Sequence, residues 1–599
     1  MGSSHSQPSR PQPLKHHKSA PFLARKFNDD ERTSLSSAPS FDNSEKVHHR
    51  APAYTKPINV ALAQHIAYQQ PPPPPLPRTP QPSAGLQLYL PSPTAGLLPS
   101  GAPVSPADAA YAHFLQDYPE YAATWPLDAL RLTEYTRLAS DHAYLDYMGG
   151  ALYPASLISV HAAFLTGAVL GNTHSESDSS KLSSALADAA RAAVLAFFNA
   201  PPGSSVVFTA NASSALKLVG EAFPFTQGST YLLPEDAHNS VHGIREFARA
   251  KGGHAVYLPA GPTGGVRVRE TIRLLDRHRP GPDGPAALFA YTGLSNLTNT
   301  KAPLSVLAHA RARGYTTLLD AAALAPTTPL DLTATPADAV AISFYKMFGY
   351  PTGIGALILA PGVGEKLIGG RPWFAGGNVE VVQVPGTLIT RKEGVEGFED
   401  GTINYTLLPG VTTGLRLLGA YLPFLPARIA ALTSACVGEL QSARWPNGAP
   451  AVRVLSRIPN TGRARRHRAT EDDADDEGSG SGGVISCIFL DSTGASVPLS
   501  RIATHAAAYH IALRTGCMCN PGGAAALLGL RSLMAQLAPG DTLADMERKF
   551  DAGGGTELGV VRLSFGLASA WSDVWKVGVW VRNGVADGWA VRDEVGRAF

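Results

Sequence analysis

The stretch VAISFYKMFGYPTGIG, residues 340–355, sets a single lysine, Lys346, between an apolar run and a glycine-rich turn. Val340–Ser343 is short and wholly apolar before its serine, the pattern of a strand covered on both faces. Tyr345 and Met347 leave Lys346 no polar face along which to reach water. Its ammonium form is therefore disfavoured, and the free amine is a nucleophile. A surface lysine lying along apolar neighbours is the commoner reading of such a residue, but it fits these flanks less well.

Similar apolar runs recur on either side: Ser205–Thr209, Thr230–Leu233, Ala255–Leu258, Ala286–Tyr291, Thr316–Asp320 and Gly355–Ala360. Helical spacing separates several of them, at Ser180–Asn199, Ala212–Ala222, Ser240–Lys251 and Leu304–Gly314. This alternation predicts an α/β fold with a largely parallel sheet covered on both faces. Ligands of such sheets bind beyond the carboxyl ends of the strands.

Those ends carry a consistent set of groups. After Thr209 comes Ala210-Asn211-Ala212-Ser213-Ser214-Ala215, whose small residues open a helix and can cradle an anion on backbone N–H groups; plain capping is the alternative. After Leu233 comes Glu235-Asp236-Ala237-His238, and after Tyr291 come Ser295 and Asn296. Asp320 closes its strand, either as a cap of the next turn or as a partner for a cation. An anion cradle, an Asp able to hold a ring nitrogen protonated and a Lys able to bond an aldehyde are together the needs of pyridoxal phosphate.

Composition narrows the class. Lys+Arg 50 against Asp+Glu 48 gives a net charge of +2, which speaks against a nucleic-acid binder. Four Cys in 599 residues exclude a disulfide scaffold. No apolar run reaches the ~18 residues of a membrane span. The expectation is a protein of a reducing compartment, the cytoplasm. The Met1-Gly2-Ser3-Ser4-His5-Ser6 start and the absence of acids before Asp29 leave N-myristoylation and a mitochondrial transit peptide open.

Seven motifs then fall in one order: Tyr144-Leu-Asp-Tyr-Met-Gly-Gly-Ala151, Gly171-Asn-Thr-His-Ser175, Phe208-Thr-Ala-Asn-Ala-Ser213, Ser343-Phe-Tyr-Lys346 with Pro351-Thr-Gly353, Phe398-Glu-Asp-Gly-Thr402, Leu513-Arg-Thr-Gly-Cys-Met-Cys-Asn-Pro-Gly522 and Val561-Arg-Leu-Ser-Phe-Gly566. With them the chain, over about residues 135–575, resembles the class V, NifS-like pyridoxal phosphate enzymes of fold-type I. Among these it is most similar to the desulfurase module of eukaryotic molybdenum cofactor sulfurases. The resemblance implies a mostly parallel large domain and a smaller α+β domain. Lys346 matches the lysine that holds the cofactor aldehyde, and Asp320 the partner of the pyridine nitrogen. His238 matches the histidine stacked on the ring, and Asn296 the asparagine near its phenolic oxygen. Ala212, Ser213 and Ser343 match phosphate-binding positions. Gly401 and Thr402 match a phosphate contact supplied by a second subunit, which implies a homodimer. Arg514 matches the clamp of the substrate carboxylate, L-cysteine being the implied substrate, with sulfur passing to an acceptor such as molybdenum cofactor.

The thiols divide by context. Cys436 lies in a helical pattern and Cys487 in a strand-like run, so both read as core. Cys517 and Cys519 lie in a loop bounded by Gly and Pro. No further Cys/His pair completes a metal site with them. The resemblance assigns the persulfide to Cys519, with Cys517 in reserve. Several residues depart from the family: Asn211 for a frequent Gly, Ala323 for a frequent Gln, Tyr345 for a His, and Gly523-Ala524-Ala525-Ala526 without the further Cys of some sulfurases. The expected organisation is a disordered Pro/Ser-rich tail at 1–105, with a polyproline II stretch at 71–80, then 106–145 as the start of the small domain. The large cofactor domain follows at 146–400 and the rest of the small domain at 401–599, with a charged disordered insertion at about 463–483. Only roughly 30 residues follow Gly566, so no molybdenum-cofactor-binding domain is expected after it. Two rival readings remain: an aminotransferase or lyase of the same fold without persulfide chemistry, and an inactive relative kept as a scaffold.

Overall fold

The computed structural model describes residues 105–138, 141–459, 479–550 and 557–590. The expected tail up to residue 104 and the core of the charged insertion lie outside them. Ser105, grouped with the tail by composition, is the N-cap of the helix Pro106–Asp117, its hydroxyl accepting from Asp108 N at 3.1 Å. Gly480–Ser481, grouped with the insertion, form a short strand antiparallel to Thr300–Lys301. Gly and Ser carry no strand pattern of their own, so only the pairing reveals it.

Seven strands build the main sheet: β1 (Ser205–Thr209), β2 (Thr230–Pro234), β3 (His254–Leu258), β4 (Leu288–Thr292), β5 (Thr316–Asp320), β6 (Ala339–Ser343) and β7 (Gly355–Leu359), in the spatial order β1-β7-β6-β5-β4-β2-β3. All but β7 run parallel; β7 is antiparallel to both β6 and β1. β2, β4, β6 and β7 are buried along their whole length, which explains their unbroken apolar sequence. The helix α1 (Asp178–Phe197) is capped by Ser177, and α2 (Ala212–Ala222) by Asn211, whose Oδ1 accepts from Ser214 N at 3.0 Å. The expected helix at 240–251 is two pieces, α3 (Asn239–His242) and α4 (Ile244–Ala250), divided at Gly243, where helix propensity is weak.

A second, four-stranded antiparallel sheet has the order β8 (Val452–Val454), β9 (Val484–Phe489), β11 (Val560–Ser564), β10 (Arg514–Gly516). The N-terminal helices join it through ion pairs, with Arg131 bonded to Asp573 at 2.7 Å. By length and composition, Leu408–Ser442 is the one helical stretch among the described residues apolar enough to cross a membrane. It packs instead as core, and in its middle Arg428 is fully buried and bonded to Asp128 at 2.9 Å. Cys436 and Cys487 are buried, on a helix and on β9, as their patterns require.

Candidate active site

The carboxyl ends of the parallel strands converge on Lys346. It is the third residue of a short helix, α5 (Phe344–Phe348), that starts directly after β6. Gly349 ends this helix with φ 80°, a left-handed conformation that suits Gly. Lys346 makes no hydrogen bond or ion pair among the described residues, although it is enclosed by protein except where it borders a small cavity. That cavity is lined also by Tyr147, Met148, Ala323 and Phe565. Burial lowers the pKa of its ammonium, the Arg562 and Arg514 charges lower it further, and Asp320 opposes both. A larger hollow of about 610 Å³, between Phe164, Val169 and Leu182, holds none of these groups.

Asp320 is the last residue of β5 and is 8% exposed. The one hydrogen bond its carboxylate makes among the described residues comes from Ala322 N to Oδ1, at 3.0 Å. Level with it on β4, Thr292 Oγ1 is buried without any partner. His238 caps α3, its Nδ1 accepting from Ser240 N at 3.2 Å, so the neutral ring carries its proton on Nε2. Burial lowers its pKa, and Asp320 and Lys346 act on it in opposite directions. Ala212 N, the first amide of α2, donates to Ser343 Oγ at 2.9 Å, and Ser213 Oγ lies 2.7 Å from Ser240 Oγ. The helix N-terminus, Ser213 and Ser343 thus meet at one point with polar atoms to offer an anion. An unpaired amine, an under-bonded carboxylate and an orphaned hydroxyl around it are groups that pyridoxal phosphate would satisfy, so the residues fit it.

Arg514 and Arg562 are cross-strand partners on β10 and β11. Directly opposed like charges repel unless an anion lies between them. Arg514 is exposed and has no hydrogen-bond or ion-pair partner among the described residues. Arg562 is 2% exposed; Nη2 reaches Asp146 Oδ1 at 2.6 Å, Nη1 reaches Asn296 O at 3.2 Å, and Nε is buried without a partner. Sequence reasoning had Asp146 and Arg562 only inside motifs. Their pairing spans 416 positions of chain and leaves no local signal.

The loop after β10 folds back over the strand ends. Asn296 Nδ2 donates to Met518 O at 2.8 Å, and Asn239 N donates to Cys519 O at 2.7 Å. Asn520 N donates to Cys517 O at 3.0 Å, closing a turn whose central residues, Met518 and Cys519, have φ 56° and 55°. Each left-handed non-Gly residue costs about 1–2 kcal/mol. Cys519 is exposed. Cys517 is half-buried, and burial raises its thiol pKa. Gly401 and Thr402 lie elsewhere: Gly401 N donates to Gly376 O at 2.9 Å, and Thr402 Oγ1 accepts from Asn172 Nδ2 at 3.2 Å. None of these bonds reaches Lys346, Asp320 or Ser343.

A buried lysine whose ammonium form is disfavoured, beside a carboxylate at the end of the adjacent parallel strand, is the arrangement of a fold-type I pyridoxal-phosphate-dependent enzyme. The chain belongs to the aminotransferase class-V family, whose model matches residues 143–445. It is 32% identical over 505 residues to the molybdenum cofactor sulfurase of Arabidopsis thaliana, covering 77% of this chain and 59% of that protein. To the molybdenum cofactor sulfurase of Bos taurus it is 33% identical over 476 residues, covering 75% of this chain and 50% of that protein. The chain thus spans half to three-fifths of these relatives' length. Among solved structures, the apo cysteine desulfurase of Thermococcus onnurineus shares its fold with a TM-score of 0.60 at 19% identity, over 77% of this chain and 98% of that one. The cysteine desulfurase CsdA of Escherichia coli does so with a TM-score of 0.56 at 21% identity, over 77% and 98%.

Proposed function

We propose that the chain is a cysteine desulfurase that takes sulfur from L-cysteine onto Cys519 and passes it to an acceptor, the molybdenum cofactor for which its relatives are named. The observation that carries this reading is an exposed thiol, Cys519, on a loop whose backbone is tied to Asn239 and Asn296 next to the facing guanidiniums of Arg514 and Arg562. Lys346, Asp320, Ala212, Ser213 and Ser343 would hold pyridoxal phosphate, which would supply an electron sink for the substrate α-carbon. Arg514 and Arg562 take the substrate carboxylate. Lys346, whose ammonium form burial disfavours, accepts the α-proton at Nζ. His238 packs over the site with its proton held on Nε2. The Cys519 thiolate attacks the substrate sulfur. The S–S bond forms as the S–Cβ bond breaks, the electron pair stays with the carbon skeleton, and that skeleton gains protons and leaves as alanine.

A homodimer working in the cytoplasm completes the reading. Its support is that Gly401 and Thr402 make no bond to their own Lys346 site. Beside them the segment 373–388 exposes Trp373 (55%), Val381, Val384 (85%) and Leu388, an apolar surface of the kind that marks an interface. Incubation with L-cysteine is the test: alanine and protein persulfide form together, and Cys519→Ser abolishes sulfide release while the cofactor absorbance stays. Undiminished release from Cys519→Ser sinks the assignment. Added molybdenum cofactor gains sulfur if it is the acceptor, and light scattering gives the subunit number.

A further inference from the structure

Asp236 lies two residues before His238 and is 2% exposed. Its Oδ1 accepts from Ser295 Oγ at 2.6 Å and from Asn520 Nδ2 at 2.7 Å. Its Oδ2 accepts from Thr298 Oγ1 at 2.6 Å and from Gly265 N at 2.7 Å. Four donors from three separate segments, one beyond β4, one around Gly265 and one in the 514–520 loop, surround a buried carboxylate whose ionised form accepts from all of them. Asn520 directly follows Cys519. Its Nδ2 also reaches Asn296 Oδ1 at 3.1 Å, and its Oδ1 accepts from Gly523 N at 2.9 Å. Two consecutive left-handed residues, Met518 and Cys519, are not a conformation that local preference maintains. Something outside the loop must hold them.

We infer that Asp236 is the positioning residue of the Cys519 thiol: through Asn520 it anchors the loop in its left-handed turn and fixes Sγ over the Lys346 site. Sulfur is then handed over where it is formed, and the acceptor comes to the loop. The inference rests on the reading of Cys519 as sulfur carrier.

Asp236→Asn keeps the shape but turns one acceptor into an amide NH₂ among donors, so Asn520 or Gly265 loses its partner. Asp236→Glu retains the carboxylate. Gly523→Ala tests the same anchor from the other side, because a Cβ there would stand 2.6 Å from Asp236 Oδ1 and 2.9 Å from Asn520 Oδ1. Each variant is prepared as the cofactor-loaded enzyme. Three quantities are read: single-turnover persulfide formation from L-cysteine, KM for L-cysteine, and amide hydrogen exchange over residues 517–520. The expected result for Asp236→Asn is persulfide formation slowed on the order of 100-fold, KM little changed because the guanidinium pair is untouched, and faster exchange confined to the loop. Asp236→Glu recovers part of the rate. Wild-type persulfide rates and loop protection in the loaded Asp236→Asn and Gly523→Ala enzymes overturn the inference. If Asp236→Asn does not load, Gly523→Ala and Asp236→Glu decide by the same readings. Full activity of Cys519→Ser overturns the carrier reading instead, and loop exchange, read without turnover, separates that failure from a failure of the anchor.

Discussion

The carboxyl ends of β1–β6 and the loop Arg514–Asn520 hold their functional groups by opposite means. Asp320 and Lys346 stand where they do because each follows directly from a buried strand, and the strand ladder fixes the backbone beneath it. Cys519 stands on backbone that is itself unfavourable and is held by side chains and one amide of the other region: Asn296, Asn239 and Asp236. A single substitution at a strand end therefore removes one group and leaves its neighbours in place. A single substitution among the tethers displaces a group it does not touch.

The largest expected effect is on the strand-end side. Lys346→Ala abolishes the cofactor absorbance and lowers alanine formation by roughly 10²–10⁴-fold, while the rate at which iodoacetamide labels Cys519 stays as in the wild-type protein without cofactor. A changed labelling rate there breaks the comparison, because it shows the loop leaning on the lysine. Arg562→Met comes next. It leaves the Asp146 carboxylate without its guanidinium and lowers unfolding stability by about 3 kcal/mol in denaturant titration.

Asn211 and Asn520 give the sharpest pairing, since each caps a helix with its side-chain oxygen. Asn211→Ala costs about 1 kcal/mol. Asn520→Ala costs about 2 kcal/mol, because it also leaves Asp236 one donor short. Equal costs contradict the tethering. A smaller effect follows from His238, whose folded pKa lies below its ordinary 6.5 because burial disfavours the imidazolium. Below about pH 6.5 the unfolded chain binds a proton that the native state refuses, so stability falls with pH until the folded pKa is passed. Melting temperatures at descending pH show this limb, and His238→Gln flattens it. The mildest probe is the order of thiol alkylation in the native protein: Cys519 first, Cys517 more slowly because burial raises its pKa, and Cys436 and Cys487 only on unfolding.

The strands were legible because buried runs such as Thr316–Asp320 announce themselves by composition. Direction was not: β7 reads like its neighbours yet runs antiparallel, since an apolar run buried on both faces has no polarity. Lys346, Asp320 and His238 could be singled out because each follows or closes a strand, whereas Gly401 and Thr402 lie away from those ends. Asp236 stood in view beside His238, but its partner Asn520 lies 284 positions away, and no local pattern links them. The same holds for the Arg562–Asp146 pair.

By itself the sequence determined the alternation of strands and helices, the lysine without a polar face, the carboxylate that closes β5 and the two thiols of one loop. Those are short-range facts, set by periodicity and by the chemistry of neighbours. Tertiary structure alone decided which of the two loop thiols is exposed, that two arginines oppose each other across β10 and β11, and that a buried carboxylate bonds to the loop. Burial, cross-strand register and hydrogen bonds between distant segments exist only once the chain has brought them together.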